Sequence, residues 1–467
     1  MLFYEPIFLF VFLPATFFIT LRLRHSAEAR TGILLIASIL FYFWGEPAFV
    51  PVVLASSGLD YLLAGPVARR TRWALVVGVG ANLAVLVAYK YLGFLAENFY
   101  GLLGWAGTPT PPPLQIALPI GVSFIVFEKI TYLVDVWRGL SPPSRGFGHY
   151  LTYIFFFPKL LAGPIIKYHE IEAQLRRPPR LDEPMVVDGF ARFVLGVVKK
   201  VLVADTIAPA ADAAFSTAPE QLGFATAWAG ILLFTLQIYL DFSAYSDMAI
   251  GLARMFGFRL NENFNRPYIS CSITEFWRRW HISLTSWIRE YLYIPLGGNR
   301  VQPWRRMANL WICFLASGLW HGAAWTYVLW GAYNGLFLVL DRLFLLRWLD
   351  RMPRLLANVI TLLVVMLGWT IFRSTSLEQL SAFLHAASHP SLSGIGLRWD
   401  NSLIAATAVG VVVSLAPKTP WSDALWAWFG NHQLNRLCGE AVLAVLFAIA
   451  LNKAITDPFR PFLYFRF

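Results

Sequence analysis

Long apolar segments separated by short basic ones are the feature that most constrains this chain. They lie at 2–21, 31–44, 48–64, 73–96, 114–134, 186–207, 222–252, 308–341, 356–372, 402–416 and 440–457. A helix of about 20 apolar residues crosses a hydrocarbon layer about 30 Å thick. Only 14% of the 467 residues are charged, against about 25% in soluble proteins. The sequence therefore predicts an all-α polytopic membrane protein with about eleven transmembrane helices in a lipid bilayer.

The basic residues predict the orientation of the chain. Residues 1–21 contain no Lys or Arg, whereas arginines cluster in the loops at 22–30 and 69–72. Cytoplasmic loops of membrane proteins are enriched in Lys and Arg, so we expect the N-terminus to face out and both loops to be cytoplasmic. The net charge of +11 comes from arginines between apolar segments rather than along one soluble face, and no nucleic-acid partner is expected.

No hydrophilic stretch is long enough for a separate soluble domain, and residues 1–467 are expected to form one membrane domain. The first apolar segment runs into Leu21-Arg22-Leu23-Arg24 rather than a cleavage site, which predicts a retained anchor. The three cysteines, Cys271, Cys313 and Cys438, are far apart, which excludes a disulfide framework. No metal site and no tightly bound cofactor are predicted.

Three segments look irregular. The proline-rich runs at 108–113 and 176–184 are predicted to be an outward loop and a cytoplasmic loop. The apolar run at 149–168 contains Pro158, Gly163 and Pro164. Non-helical backbone at membrane depth survives only when it is buried in protein or lines a wet cavity. We favour a re-entrant loop here, with a kinked ordinary helix as the alternative.

An amphipathic helix is predicted around His281. Ser272 and Glu275 have the spacing of a capping box, which marks a helix start. One stripe of apolar residues then recurs at spacings of three and four: Ile273, Phe276, Trp277, Trp280, Leu284, Trp287, Ile288 and Tyr291. Tryptophans and arginines so arranged are typical of a helix at a membrane interface. His281 lies at the edge of the stripe, either bonded to a neighbouring carbonyl or acting on substrate.

His321 is the leading functional candidate. It lies within 308–340, an apolar run with arginines at both ends, which is too long for one span and too short for two. We therefore predict a bent or re-entrant hairpin that turns between Ser317-Gly318 and Gly322-Ala323-Ala324, with His321 at the bend. An ionisable side chain at membrane depth is costly and is retained mainly where it pairs or does chemistry. The alternative is a histidine that only bonds two helices together.

Other polar residues interrupt apolar segments. Asp241 and Tyr245 share one helical face in 222–252, whereas Ser243, Asp247 and Gly251 form a second face suited to close packing. Glu128 and Lys129 point in different directions, so each is expected to have another partner. Asn299 and Arg300 follow a Gly-Gly turn, which could bind an anion.

The motifs together resemble the membrane-bound O-acyltransferase family. They are P-Y-I-S-x-S-I-T-E-F-W-R-R-W-H-I-S-L at 267–284, Y-L-Y-I-P-L-G-G-N-R at 291–300 and S-G-L-W-H-G at 317–322. The similarity extends to 118–124, 156–165, 241–251 and P-F-L-Y-F-R-F at the C-terminus. It is closest to the bacterial branch that O-acetylates exopolysaccharides such as alginate. Lys159 and Glu128-Lys129 depart from the family pattern.

The resemblance implies a helical funnel with its core at about 114–345, in a bacterial inner membrane. It implies that His321 is the catalytic histidine and His281 a second functional one. The donor would be acetyl-CoA or another acyl thioester from the cytoplasm, and the acetyl group would pass to periplasmic partner proteins. Candidate substrate-binding residues are Asp241, Tyr245, Trp277, Trp280, Ser317, Asn299 and Arg300.

A neutral His321 could act as general base on an acceptor hydroxyl or form a transient acyl-histidine. Transfer of a D-alanyl or another acyl group to a cell-envelope polymer is an alternative within the family. A proton-coupled transporter or flippase is the competing class. Such proteins are often built from inverted repeats, and this sequence shows no internal symmetry. A non-catalytic scaffold of an export complex is the third hypothesis.

Overall fold

The computed structural model describes residues 3–105, 112, 114, 116–390, 394, 396–416, 433–457 and 460–463. The proline loop predicted at 108–113, apart from Pro112, lies outside the described residues. So do the last four residues of the C-terminal motif.

Every regular element of the described residues is a helix. The first ten α-helices are α1 (Leu13–Arg22), α2 (Ala27–Gly45), α3 (Val50–Ala68), α4 (Arg72–Leu86), α5 (Leu92–Trp105), α6 (Val122–Arg138), α7 (Phe147–Phe155), α8 (Tyr168–Arg176), α9 (Glu183–Val198) and α10 (Asp205–Phe215). The others are α11 (Phe224–Met255), α12 (Ile273–Arg279), α13 (Ile282–Ile288), α14 (Pro303–His321), α15 (Trp325–Leu340), α16 (Leu346–Leu349), α17 (Arg354–Arg373), α18 (Leu377–Ser388), α19 (Asn401–Leu415) and α20 (Gln433–Thr456). Short π-helical turns occur at Phe8–Phe12, Val87–Tyr91, Lys199–Ala204, Arg289–Tyr293 and Asp341–Leu345.

Seven helices within the described residues are long and apolar enough to cross a membrane. They are Ala27–Gly45, Val50–Ala68, Arg72–Gly104, Phe224–Met255, Trp325–Leu349, Arg354–Arg373 and Leu437–Thr456. Two shorter apolar helices lie at Phe8–Arg22 and Asn401–Leu415. The polytopic, all-helical architecture is therefore confirmed, but the count of about eleven spans is not. The predicted spans at 114–134 and 186–207 contain buried charged residues, and a π-helical turn interrupts the second.

The chain divides into two compact units. The first comprises Met1–Phe190, Ala249–Asn261 and Gly322–Ala324, and the second comprises Ala191–Met248, Glu262–His321 and Trp325–Phe467. Helices α9 and α11 each contribute residues to both units. The prediction of a single membrane domain stays a prediction.

In the first unit, the segment predicted to be irregular is non-helical from Phe156 to Lys167 and wholly buried. Its Lys159 forms an ion pair with Glu128 of α6. Lys129 pairs instead with Asp60 of α3, at 3.3 Å between Nζ and Oδ2. As predicted, Glu128 and Lys129 have separate partners. Two of the departures from the family pattern, Lys159 and Glu128, are thus the two halves of one buried pair.

The second unit has an aromatic and aliphatic core around α11, with α12, α15 and α17 packed against it. Helices α14 and α15 form an antiparallel hairpin that turns at residues 322–324. The turn lies within the range predicted for it, and His321 is the last residue of α14. The long apolar run therefore contains two packed helices, with His321 beside the bend.

Candidate active site

Close contact between α14 and α15 fixes the position of His321. A Cβ added to Gly318 would lie 2.2 Å from the backbone oxygen of Tyr327, and one added to Gly331 would lie 2.4 Å from that of Phe314. Only glycine permits two helices to approach this closely. The hairpin therefore holds the end of α14 against α15, one turn beyond the buried Ser317.

Aromatic rings surround His321, which is buried and only 7% exposed. The ring of Trp330 from α15 lies edge-on, with centroids 5.1 Å apart, and that of Phe372 from α17 lies edge-on at 5.3 Å. Trp320 is 5.0 Å away. These contacts from three helices restrict the rotation of the imidazole, so it is held in one orientation.

His321 lines a small cavity within the second unit. The other lining residues are Ile238, Asp241, Phe242, Trp280, Trp369, Phe372 and Leu463. The cavity measures about 20 Å³, which is room for about one water molecule. Asp241 and Trp280, two of the candidate substrate-binding residues named from the sequence, both line this cavity.

His281 lies at a break between α12 and α13. Its backbone is left-handed, with φ 44° and ψ 54°, a conformation that costs a non-glycine residue about 1–2 kcal/mol. Two backbone hydrogen bonds maintain the break: Ile282 N–H donates to Asn263 O and Asn265 N–H donates to Arg279 O, each at 2.9 Å. The predicted single helix is therefore wrong, although its start is correct, since Ser272 Oγ accepts from Glu275 N–H at 3.0 Å.

The side chain of Asn263 determines the tautomer of His281. Asn263 Oδ1 accepts from the backbone N–H of Ser283 at 3.2 Å and from its hydroxyl at 2.8 Å, so this atom is an acceptor. His281 Nδ1 lies 3.1 Å from the same oxygen and must donate to it. The neutral ring then carries its lone pair on Nε2. Burial lowers the pKa of His281 to about 3, so the ring is neutral near pH 7.

The two histidines lie close together, with ring centroids 6.5 Å apart. Phe242 of α11 packs edge-on against His281 at 4.8 Å and also lines the cavity beside His321. The structure therefore brings together the two residues that the sequence singled out, although they are 40 positions apart in the chain.

The tryptophans of the apolar stripe are buried in the protein core. Trp277 contacts Trp330 with centroids 5.6 Å apart, and Trp280 contacts Trp369 at 4.7 Å. Because Trp330 contacts His321 and Trp369 lines the cavity, both predicted tryptophans support the site.

Asp241 belongs to a buried ion cluster at the cavity wall. Lys200 Nζ lies 2.5 Å from Asp241 Oδ1 and 2.8 Å from Asp205 Oδ1. Tyr245, one turn along α11, packs edge-on against Phe462 at 4.4 Å. On the second predicted face, Asp247 pairs with Lys199 and Arg192, so that face contains ion pairs as well as small residues.

Asn299 and Arg300 lie elsewhere. Both are exposed and neither lines the cavity. Asn299 Oδ1 accepts from Tyr293 Oη at 2.8 Å and from Arg342 Nη1 at 3.2 Å. Their role in substrate binding stays a prediction that the cavity does not support.

Several residues of the site were not predicted from the sequence. Trp369, Phe372 and Ile238 are apolar residues within membrane spans, which nothing in the sequence distinguishes from packing residues. Lys200 could have been singled out from the sequence, because it is a lysine within an apolar segment. Within the described residues, no group of three or more His, Cys, Asp and Glu side chains is arranged to hold a metal ion.

Comparison with known proteins shows the family to which the chain belongs. The model of the MBOAT, membrane-bound O-acyltransferase family, matches residues 141–378. The chain is 37% identical to the probable alginate O-acetylase AlgI of Azotobacter vinelandii, with 100% of both chains covered. The chain belongs to the membrane-bound O-acyltransferase family.

Other members of the membrane-bound O-acyltransferases are also similar. Identity is 42% with the probable alginate O-acetylase AlgI of Pseudomonas aeruginosa, over 81% of this chain and 73% of the relative. Identity is 35% with the peptidoglycan O-acetyltransferase of Helicobacter pylori, over 85% of this chain and 81% of the relative. The protein is thus a multi-pass membrane enzyme that transfers acyl groups, and the transporter and scaffold hypotheses are set aside.

Proposed function

We propose that this enzyme is an O-acetyltransferase that moves an acetyl group across the bacterial inner membrane for O-acetylation of a secreted polysaccharide such as alginate. The observation that carries the proposal is the buried His321 in the wall of a small aromatic cavity. The full-length similarity to proteins named alginate O-acetylases supports the choice of acyl group and polymer.

His321 is the proposed general base. The oxygen of an acceptor hydroxyl attacks the carbonyl carbon of the thioester while His321 takes the hydroxyl proton. Collapse of the tetrahedral intermediate breaks the carbon–sulfur bond, and the imidazolium returns the proton to the leaving thiolate. In the other route, the ring itself attacks the thioester, and the acyl-histidine then reacts with the hydroxyl. Both routes yield an acyl ester and a free thiol.

The size of the cavity favours a small acyl group. A cavity of about 20 Å³ lined by Trp280, Trp369 and Phe372 must widen even for an acetyl group, and far more for a long acyl chain. Interiors packed this densely resist such changes. The cavity therefore supports acetyl over a fatty acyl group as the transferred group.

We further propose that His281 is a positioning residue. It is the neighbour of His321 within the core, and the hydrogen bond to Asn263 holds its Nε2 as an acceptor. This atom would accept a hydrogen bond from a hydroxyl or from the protonated ring of His321.

The proposed donor is acetyl-CoA or another acyl thioester on the cytoplasmic side, with the N-terminus in the periplasm. The arginine clusters at 22–30 and 69–72 support this orientation, because cytoplasmic loops are enriched in Lys and Arg. The immediate acceptor would be a hydroxyl of the polymer or of a periplasmic partner protein.

The proposal is tested by the O-acetyl content of secreted polysaccharide. Cells that lack the chromosomal copy are complemented with wild type, His321→Ala or His25→Ala, and each protein is quantified in the membrane. His25 is an exposed histidine remote in sequence from the cavity residues, and His25→Ala should restore acetylation. His321→Ala should reduce it by at least about 100-fold, the effect expected of losing a positioned general base. Wild-type acetylation by well-expressed His321→Ala would refute the proposal.

A further inference from the structure

Residues near the C-terminus form part of the cavity that His321 lines. Phe462 and Leu463 are buried, at 1% and 4% exposure. Leu463 lines the cavity together with His321, although 142 positions separate them in the chain. A segment this remote in sequence must be held in place by specific contacts.

Asp241 provides the main contact. Its Oδ2 accepts a hydrogen bond from the backbone N–H of Leu463 at 2.8 Å, while its Oδ1 pairs with Lys200 at 2.5 Å. The carboxylate thus joins the segment to two helical regions and lines the cavity itself. Charge-assisted hydrogen bonds of this kind are about twice as strong as neutral ones.

Further contacts hold Phe462 and Arg460, which precede Leu463 in the chain. Lys200 Nζ lies 4.7 Å from the centroid of the Phe462 ring, and Tyr245 packs edge-on against the same ring. Arg460 Nη1 lies 3.8 Å from Asp212 Oδ2 of α10. Residues 460–463 are therefore held by ionic, aromatic and backbone contacts at once.

We propose that Leu463 is a specificity-determining residue that limits the size of the transferred acyl group, and that Asp241 and Lys200 are the positioning residues that hold it there. Leu463 contributes an aliphatic side chain to a wall otherwise dominated by aromatic rings and α11. Shortening it leaves free volume beside His321 without removing a polar group. The proposal rests on the proposed acetyl transfer, and it adds that Leu463 makes the enzyme select donors by the size of their acyl group.

The expected size of the effect follows from known discrimination between substrates. One methylene in an apolar pocket changes relative rates about 10- to 200-fold. Leu463→Ala removes three carbon atoms from the wall, enough to accommodate one or two additional methylenes of an acyl chain. The ratio of propionyl or butyryl transfer to acetyl transfer should therefore rise at least about tenfold.

The test uses detergent-permeabilised membranes that contain the full chain and its native acceptor. Radiolabelled acetyl-CoA, propionyl-CoA and butyryl-CoA are supplied separately, and alkali-labile label in polymer or protein is counted after subtracting the His321→Ala background. Leu463→Ala should raise the longer-chain ratios, and Leu463→Val should raise them less. Wild-type ratios in an active Leu463→Ala would overturn the proposal, as would loss of transfer from every donor in both variants. If wild type itself shows no His321-dependent acetyl transfer, the proposed function fails.

A matched pair of substitutions in α11 tests the positioning role. Asp241→Ala removes the acceptor of the Leu463 N–H, whereas Asp247→Ala removes a carboxylate of the same helix that pairs with Arg192 and Lys199. Asp241→Ala should shift the acyl-chain ratio in the same direction as Leu463→Ala, and Asp247→Ala should keep the wild-type ratio. Because the readout is a ratio, a general loss of folded protein does not imitate it. Equal ratios in the two variants would overturn the role of Asp241.

Discussion

At the scale of single residues, His281 shows how burial determines a protonation state. Its pKa is lowered to about 3, and it lies outside the candidate spans at the break between α12 and α13. An unfolded histidine has a pKa near 6.5, so between these values the unfolded chain binds a proton that the folded chain excludes. The folded state is therefore favoured fully above about pH 6.5 and loses stability as the pH falls toward 3.

This linkage predicts a pH-dependent effect of His281→Gln. In wild type, His281 should make the free energy of unfolding fall by up to about 1.4 kcal/mol per pH unit below pH 6.5. His281→Gln should flatten this part of the curve, and His25→Gln, at an exposed site, should not. Melting temperatures in detergent between about pH 4 and 7 provide the measurement. An unchanged slope in His281→Gln would show that the ring is not kept neutral by the fold.

The buried pair of Lys159 and Glu128 makes a second prediction. Removing one charge leaves the other buried and unpaired, which costs about 3–5 kcal/mol, whereas replacing both can be nearly neutral. We expect Lys159→Met alone to lower the melting temperature strongly, and the double variant Lys159→Met, Glu128→Gln to recover most of the loss. Lys453→Met, in an exposed pair with Asp457, is the control and should change stability by under about 1 kcal/mol. A double variant as unstable as the single one would mean that the pair has further obligatory partners.

At the scale of helices, the α14–α15 hairpin depends on two glycines. Gly318→Ala would place a methyl group against the backbone of Tyr327, so the helices would separate and His321 would shift relative to Trp330. We expect a loss of about 1–3 kcal/mol in stability, together with reduced acetylation. Gly80→Ala in α4 meets no atom within 4 Å and should be neutral or stabilise slightly, by up to about 1 kcal/mol. Both are measured by melting in detergent and by O-acetyl content, and a Gly318→Ala protein with wild-type values would contradict the close-packing argument.

The sequence predicted this hairpin but did not predict the helix break at His281. The two outcomes have different physical reasons. The glycines, the length of the apolar run and the flanking arginines are all local, and they place the turn beside His321. The break at His281 depends on hydrogen bonds to residues 263 and 265, which periodicity within one segment cannot show. The position of Leu463 likewise depends on Asp241, 222 residues earlier.

At the scale of the whole molecule, the proposed orientation can be tested by cysteine accessibility. With Cys271, Cys313 and Cys438 replaced, single cysteines are introduced at Arg24, Gln302 and Glu378, all exposed positions. The first two lie in or beside arginine-rich loops and should react with an impermeant maleimide only after spheroplasts are opened. In the proposed orientation the C-terminal end of α17 would face out, so Glu378→Cys, which lies just beyond it, should react in intact spheroplasts. The reverse labelling pattern would invert the proposed topology.

The number of membrane crossings was less predictable than the class of protein. Composition alone indicates a polytopic helical protein, because so few residues are charged. The count of about eleven is not confirmed where buried charges interrupt an apolar segment, as Glu128 and Lys129 interrupt 114–134. Hydropathy along the sequence cannot tell such buried charges from exposed ones.

The location of His321 at the end of α14 has an electrostatic consequence. The aligned peptide dipoles of a helix place about half a negative elementary charge at its C-terminus. A ring that takes up a proton there is stabilised by about 0.3–1 kcal/mol, and by more where solvent is excluded. In the proposed mechanism, the helix that positions His321 would therefore also act as a partial counter-ion for the imidazolium formed when the acceptor hydroxyl gives up its proton.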